Sequence, residues 1–374
     1  MRSHFICLFI IAWASLVKAE GEFIWTNEIA NAYQSATRFD LAKADDFLAI
    51  DKKQNPGNGF NYLISNYRDF IKVFIEDNPI EYRKALARRV QRIQNLELCN
   101  SHSPYQRYAL AEIYLQWTFL RFQQGEQTKA ANDLRKAAAL LNENQKRFPD
   151  FTLNLKGLSI VHLLAGSIPD NMKWLSNLAG IQGTIMQGEN ELNQVIEVCR
   201  ISKTHSIVVP ELLFLKRLLR LQLFEDISIN EEAVNEWEQD YANEPIIQYI
   251  TILTAQKTQH SEEVIKRIRS FTGKNNEINY CFFNYLVAEA ALNLEQSTIE
   301  GFQVFINCSK GNHFKHSALR KLAWYYLLHQ QTERYFSTMK VMLQLPSPQS
   351  EEDKQALFEA KQLKAPDTLL LRAR

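Results

Sequence analysis

Glycine and proline are scarce in this chain, with 12 and 10 among 374 residues. That scarcity excludes collagen-like and Pro/Gly low-complexity architectures. Apart from the short run Ile207-Val208-Val209 there is no series of alternating segments, which argues against an all-β fold. Charge of one sign is missing too: 43 Lys and Arg stand against 42 Asp and Glu. The pairs Arg88-Arg89 and Lys216-Arg217 fall within mixed-charge surroundings, so no nucleic-acid partner is expected. Beyond the N-terminus no segment approaches the roughly 20 apolar residues of a membrane span. There is no Gly-rich phosphate loop, no His-Glu-x-x-His, no Gly-x-Ser-x-Gly, no EF-hand loop and no Cys-x2-Cys pair. These absences point to a chain that is not an enzyme and uses no cofactor or metal.

Isolated chemistry-bearing residues read as structural. Glu112 has no identifiable partner carboxylate for glycan cleavage. His162, among Ile160, Val161, Leu163 and Leu164, reads as a hydrogen-bonded core histidine. His313 and His316 are three apart with no acidic or cysteine neighbour and read as surface histidines rather than metal ligands. Trp324, Tyr325 and Tyr326 read as packing residues.

What is present is helical periodicity in a chain of ordinary globular composition, 46% hydrophobic and 23% charged. The stretch from Ser103 to Pro149 predicts a helical hairpin. Ser103-Pro104-Tyr105-Gln106 opens a helix as a capping box, with serine accepting from a free N–H and glutamine reaching back to the cap. Two apolar stripes follow. Tyr108, Ala111, Leu115, Phe119 and Phe122 form one; Leu110, Ile113, Trp117 and Leu120 form the other, so this helix has neighbours on two sides. Gly125 permits the turn. The return helix, about 127 to 147, has one apolar face: Ala130, Leu134, Ala137 and Leu141.

The small-large-small pattern of Ala130, Leu134 and Ala137 resembles the second helix of a tetratricopeptide repeat, although this helix runs about two turns longer than that family's. Further pairs are predicted at Tyr280–Leu294 with Thr298–Cys308, and at His316–His329 with Thr332–Leu345. Asn78-Pro79, Glu244-Pro245, Ser261 and Ala365-Pro366-Asp367 mark other helix starts. The expected fold is an all-α, α-α superhelix of about fifteen helices, a repeat array that grows without one compact core.

Arg2 and His4 precede the apolar run Phe5–Val17, and Val17-Lys18-Ala19 suits a signal peptidase. Residues 1–19 are read as a signal peptide cleaved after Ala19, with an uncleaved anchor as the alternative, and 20–374 as one array. The mature chain then carries 41 basic and 42 acidic residues, a formal charge of −1. Four cysteines remain. Cys281 and Cys308 fall in adjacent predicted helices and can meet across a hairpin, while buried free cysteine is the commoner reading of such spacing. Asn307-Cys308-Ser309 is a formal glycosylation acceptor, relevant only to eukaryotic secretion.

Residues 157–188 interrupt the rhythm with Gly157, Gly166, Gly180, Gly183 and Gly188 plus Pro169, and read as an irregular connection or packing corner, with a partner-binding or membrane-contacting insert as the alternative. Trp174, with Leu175 and Leu178, makes a small apolar patch there. The order Ile168-Pro169, Trp174-Leu175, Leu178-Ala179-Gly180, Gly183, Gly188 and Leu192 resembles the central signature of Iml2-type tetratricopeptide proteins, the inclusion-body clearance and mitochondrial outer-membrane family. The resemblance covers about residues 100–200 and implies a scaffold without chemistry of its own. The exported N-terminus sets this chain apart from the intracellular members and suggests a bacterial relative.

The resulting expectation is a non-enzymatic protein–protein scaffold of a Gram-negative envelope, periplasmic or peripherally associated with the outer membrane. An envelope receptor for a peptide, glycan or lipid is the alternative, and a helical-array hydrolase a further one. Arg107, Tyr114 and Arg121, seven apart, align on one helix side and with Trp174 are the candidate partner-binding residues. The competing reading of that line is a solvated groove edge or an intra-hairpin contact.

Overall fold

The computed structural model describes residues 20–167, 181–223, 239–271, 278, 280–348 and 350–372. These hold seventeen α-helices and one 3-10 turn, with no named strand among the described residues. The first half contains α1 (Asn27–Thr37), α2 (Leu41–Gln54), α3 (Gly59–Glu76), α4 (Pro79–Glu97), α5 (Pro104–Gln123), α6 (Gln127–Arg147), α7 (Asn154–Ser167), α8 (Ile185–Ile201) and α9 (Val209–Leu223). The second contains α10 (Pro245–Lys257), α11 (Ser261–Ser270), α12 (Cys281–Asn293), α13 (Ile299–Cys308), α14 (Lys315–Leu328), α15 (Thr332–Met342), α16 (Glu351–Gln362) and α17 (Thr368–Arg372). The chain is an all-α helical-repeat superhelix. Its helices outnumber the expected fifteen because short ones, such as the five-residue α17, carry little periodicity of their own.

The hairpin α5–α6 forms where the sequence places it. Ser103 caps α5 by accepting from the N–H of Tyr105 at 3.3 Å, and Pro104 occupies the first turn. The capping box does not close. The Gln106 amide instead donates to the carbonyls of Leu96, Glu97 and Cys99. These carbonyls lie at and just beyond the end of α4, where helix carbonyls run out of intrahelical partners, and the Gln106 side chain adds a donor to them. Both predicted stripes of α5 are buried through most of their length, whereas α6 buries the single face Ala130, Leu134, Ala137 and Leu141.

This contrast recurs along the array and sorts the helices into two layers. Inner helices such as α5, α9, α12 and α14 are buried around much of their circumference. Outer ones such as α11 and α13 bury only two residues each. One apolar core cluster runs from Ile29 in α1 to Tyr326 in α14, and a smaller one follows at α14–α16.

Glycines at 157, 166 and 188 lie inside helices and mark close helix approach rather than an irregular connection. A Cβ at Gly166 would stand 2.4 Å from the backbone nitrogen of Ile185, and one at Gly188 would stand 2.6 Å from Leu163 Cγ. Here α7 and α8 pack backbone to backbone. Gly180, Pro169, Trp174 and the rest of the segment 168–180 lie outside the described residues.

The superhelix curls until its first helices meet its later ones. Phe39, just after α1, packs against Tyr249, Phe271 and Tyr280, and Arg38 pairs with Glu244 at 2.7 Å. At the far end of α3, Asp77 pairs with His313 at 3.1 Å. The array is closed by contacts spanning more than 200 residues.

Candidate functional site: an interior chamber and its charged supports

Closure leaves a chamber of about 1600 Å³ between the ends of the inner helices. Phe74 of α3, Phe119 and Phe122 of α5, Leu218 and Leu221 of α9, and Leu253 of α10 supply apolar wall. Phe122, the last residue of a predicted apolar stripe, is 41% exposed. At that point the stripe leaves the packed core and faces the chamber.

The opposite wall is polar and built around Lys321 of α14. Its Nζ lies 2.7 Å from the Tyr285 hydroxyl and 3.0 Å from Glu352. It also pairs with Glu289, whose carboxylate accepts from Gln256. Ser317 donates to Glu352 at 2.5 Å. Burial would raise the Glu352 carboxyl, but Lys321 and the hydroxyls of Ser317 and Tyr285 hold it below the usual carboxylate range. Burial pulls the Lys321 ammonium below its ordinary value despite Glu352 beside it. The cluster is a braced ion pair joining α12, α14 and α16.

A second charged group sits deeper, where α1, α5, α7 and α9 converge. Lys156 donates to Glu112 and to Glu211, each at 2.7 Å, and the Tyr33 hydroxyl donates to the other oxygen of Glu211. The charged groups are nearly solvent-free, with Lys156 only 8% and Glu112 only 6% exposed in their side chains. Burial raises the Glu112 carboxyl. Burial would depress Lys156, but the two carboxylates outweigh it and hold the ammonium well above its ordinary range. Glu112 also lines a small cavity of about 80 Å³. That is space for a few waters at most.

Glu112 therefore has the partner carboxylate that the sequence reading did not find. Glu211 lies 99 positions away, and no local pattern links the two. His162 makes the expected hydrogen bond, its Nδ1 lying 2.6 Å from Glu191. The surface reading of His313 and His316 is corrected: His316 is fully buried, and His313 is largely enclosed by its pairing with Asp77. Among the described residues no three His, Cys, Asp or Glu side chains converge as a metal site. Cys281 and Cys308 form a disulfide between α12 and α13, with Cα atoms 5.9 Å apart, instead of the commoner free thiols; Cys99 and Cys199 are free and buried.

The residues of the line Arg107–Tyr114–Arg121 are engaged within the repeat. Arg107 pairs with Glu143 at 2.9 Å. Arg121 pairs with Asp133 at 3.0 Å and donates to the Lys129 carbonyl. Tyr114 is buried with the Arg89 guanidinium 5.1 Å from its ring centre. These contacts fasten α4, α5 and α6 together. No helix among the described residues is long and apolar enough to cross a membrane. No family model matches the chain, and neither a curated protein nor a solved structure matches it.

Proposed function

We propose that this chain is a non-enzymatic interaction protein that holds a segment of a protein partner in its chamber. The observation that carries the reading is the chamber itself. At about 1600 Å³ it exceeds the roughly 300–1,000 Å³ of a small-molecule pocket and is walled by apolar side chains with a few polar groups. Both buried charged clusters are satisfied largely within the protein, as befits supports of a scaffold. The resemblance to Iml2-type tetratricopeptide scaffolds leads to the same reading.

The proposal places the protein in a cell envelope, exported with its leader removed after Ala19. The run Phe5–Val17 supports this, as does the Cys281–Cys308 disulfide, a bond typical of oxidising compartments. A photo-crosslinking residue at position 122 or 253 tests the chamber. It should capture a protein partner from the native envelope, while the same residue at position 201, exposed outside the chamber, should not. Equal capture from all three positions, or recovery of only a glycan or lipid, defeats the protein-scaffold reading.

A further inference from the structure

We infer that the small cavity beside Glu112 is a site for a small primary alkylammonium, separate from the chamber. Its wall is largely aromatic. Trp25, Tyr33, Phe60, Tyr67 and Tyr105 line it and pack in a chain with ring centres 4.9 to 6.3 Å apart, and Tyr108 lines it beside them. Aromatic rings attract a cation over their faces, and more strongly where water is excluded. The charged end of the cavity holds an acceptor without a donor. Of the four carboxylate oxygens on Glu112 and Glu211, three are served: Lys156 donates to one on each, and Tyr33 donates to the second on Glu211. The fourth, Glu112 Oε1, is buried with no hydrogen-bond partner in a residue only 4% exposed. One turn earlier on α5, Tyr108 is also buried, and its hydroxyl bonds to no described residue.

Charge selects the kind of donor. Tyrosines apart, the titratable groups lining the cavity are Glu112, Glu211, Lys156 and His205. Burial keeps His205 below the ordinary histidine value and so neutral at pH 7, which leaves two carboxylates facing one ammonium. The surplus calls for a counter-charge: a proton, which burial favours on Glu112, or a cation from outside. A primary ammonium supplies the donor, the charge and the partner for the rings at once. An alcohol supplies only the donor, and a carboxylate adds to the surplus. Room for a few waters is also room for an alkylammonium of about three to five heavy atoms. Thr204, another lining residue, is exposed, so the cavity reaches the surface there.

Isothermal titration of the full chain at neutral pH with propylammonium, 1-propanol and propionate, all at one ionic strength, tests the site. Propylammonium should bind at least about tenfold more tightly than propanol, and propionate should not bind. Glu112→Gln, which removes the charge and keeps an acceptor for Lys156, should erase the preference for the ammonium. Tyr108→Phe keeps the ring and loses only an unbonded hydroxyl, so it should melt like the wild type and bind propylammonium about threefold or more weakly. Should Glu112→Gln fail to fold, Tyr108→Phe still decides. The inference is overturned if propylammonium does not bind, if propanol binds equally well, if folded Glu112→Gln keeps the preference, or if Tyr108→Phe binds propylammonium as tightly as the wild type. Those results would mean that a proton and water fill the place, and they leave the chamber reading to its own crosslinking test.

Discussion

Lys156 shows what a single residue does in this fold. It is the only cation bonded to Glu112 and Glu211 among the described residues, and both carboxylates lie in the interior. Lys156→Met removes that cation and strands two buried acids, which should cost about 3–5 kcal/mol of stability, read as a fall in the denaturation midpoint. Glu112→Gln, which keeps an acceptor for Lys156, should cost clearly less. His313 gives a pH dependence. Burial would lower its pKa, but Asp77 holds it above the ordinary histidine value. Its contribution is therefore fully present below about pH 6.5 and is lost as pH rises through the higher folded-state value. Titrating stability upward from about pH 6, the wild type should lose ground relative to His313→Gln; parallel profiles would show that the pair contributes nothing. At this scale the sequence was partly legible. Helical spacing put Arg107, Tyr114 and Arg121 on one side, but their partners Glu143 and Asp133 sit on the return helix, and spacing within one helix cannot register a neighbour's carboxylates.

Helices were the most legible level, because caps and turn residues act locally. Asn78 accepts from the N–H groups of Ile80 and Glu81 to start α4, Gly125 turns the hairpin at φ 71°, and Asp367 accepts from Leu369 to start α17. Gln106 departed from the local rule: the Ser103 N–H that would close the box already donates to the Asn100 carbonyl, and the Gln106 amide donates to carbonyls at the end of α4. The disulfide was not legible because the spacing of Cys281 and Cys308 fits free thiols equally well; the α12–α13 turn decides the matter. In denaturant without reductant, the chain lacking residues 1–19 should titrate two free thiols, those of Cys99 and Cys199, and four after reduction. Four before reduction would remove the staple. Cys308→Ser should cost about 3 kcal/mol through the chain entropy of the loop between the two cysteines. Gly166→Ala places a methyl against the backbone of α8, which cannot shift without moving the helix, and should cost about 1–3 kcal/mol in thermal unfolding.

As a whole molecule, an open repeat array would unfold as a series of neighbouring units. This one has its first helices bonded to its later ones through Phe39, Arg38 and Asp77. Unfolding followed by helical circular dichroism and by tryptophan fluorescence should therefore coincide in one transition, and separated transitions would show that closure carries little energy. The layered superhelix could be read from two-sided and one-sided stripes. The chamber could not, because its walls come from helix ends spread from α3 to α17 and exist only once the array has curled.

That curl also orders events in time. The partners of Phe39 lie at positions 249, 271 and 280, so a growing chain displays this aromatic side chain through the synthesis of some 200 further residues before its binding site exists. The end of the first helix is thus among the last surfaces to be covered, and nascent chains halted near residue 240 are the species in which a chaperone would find Phe39 bare.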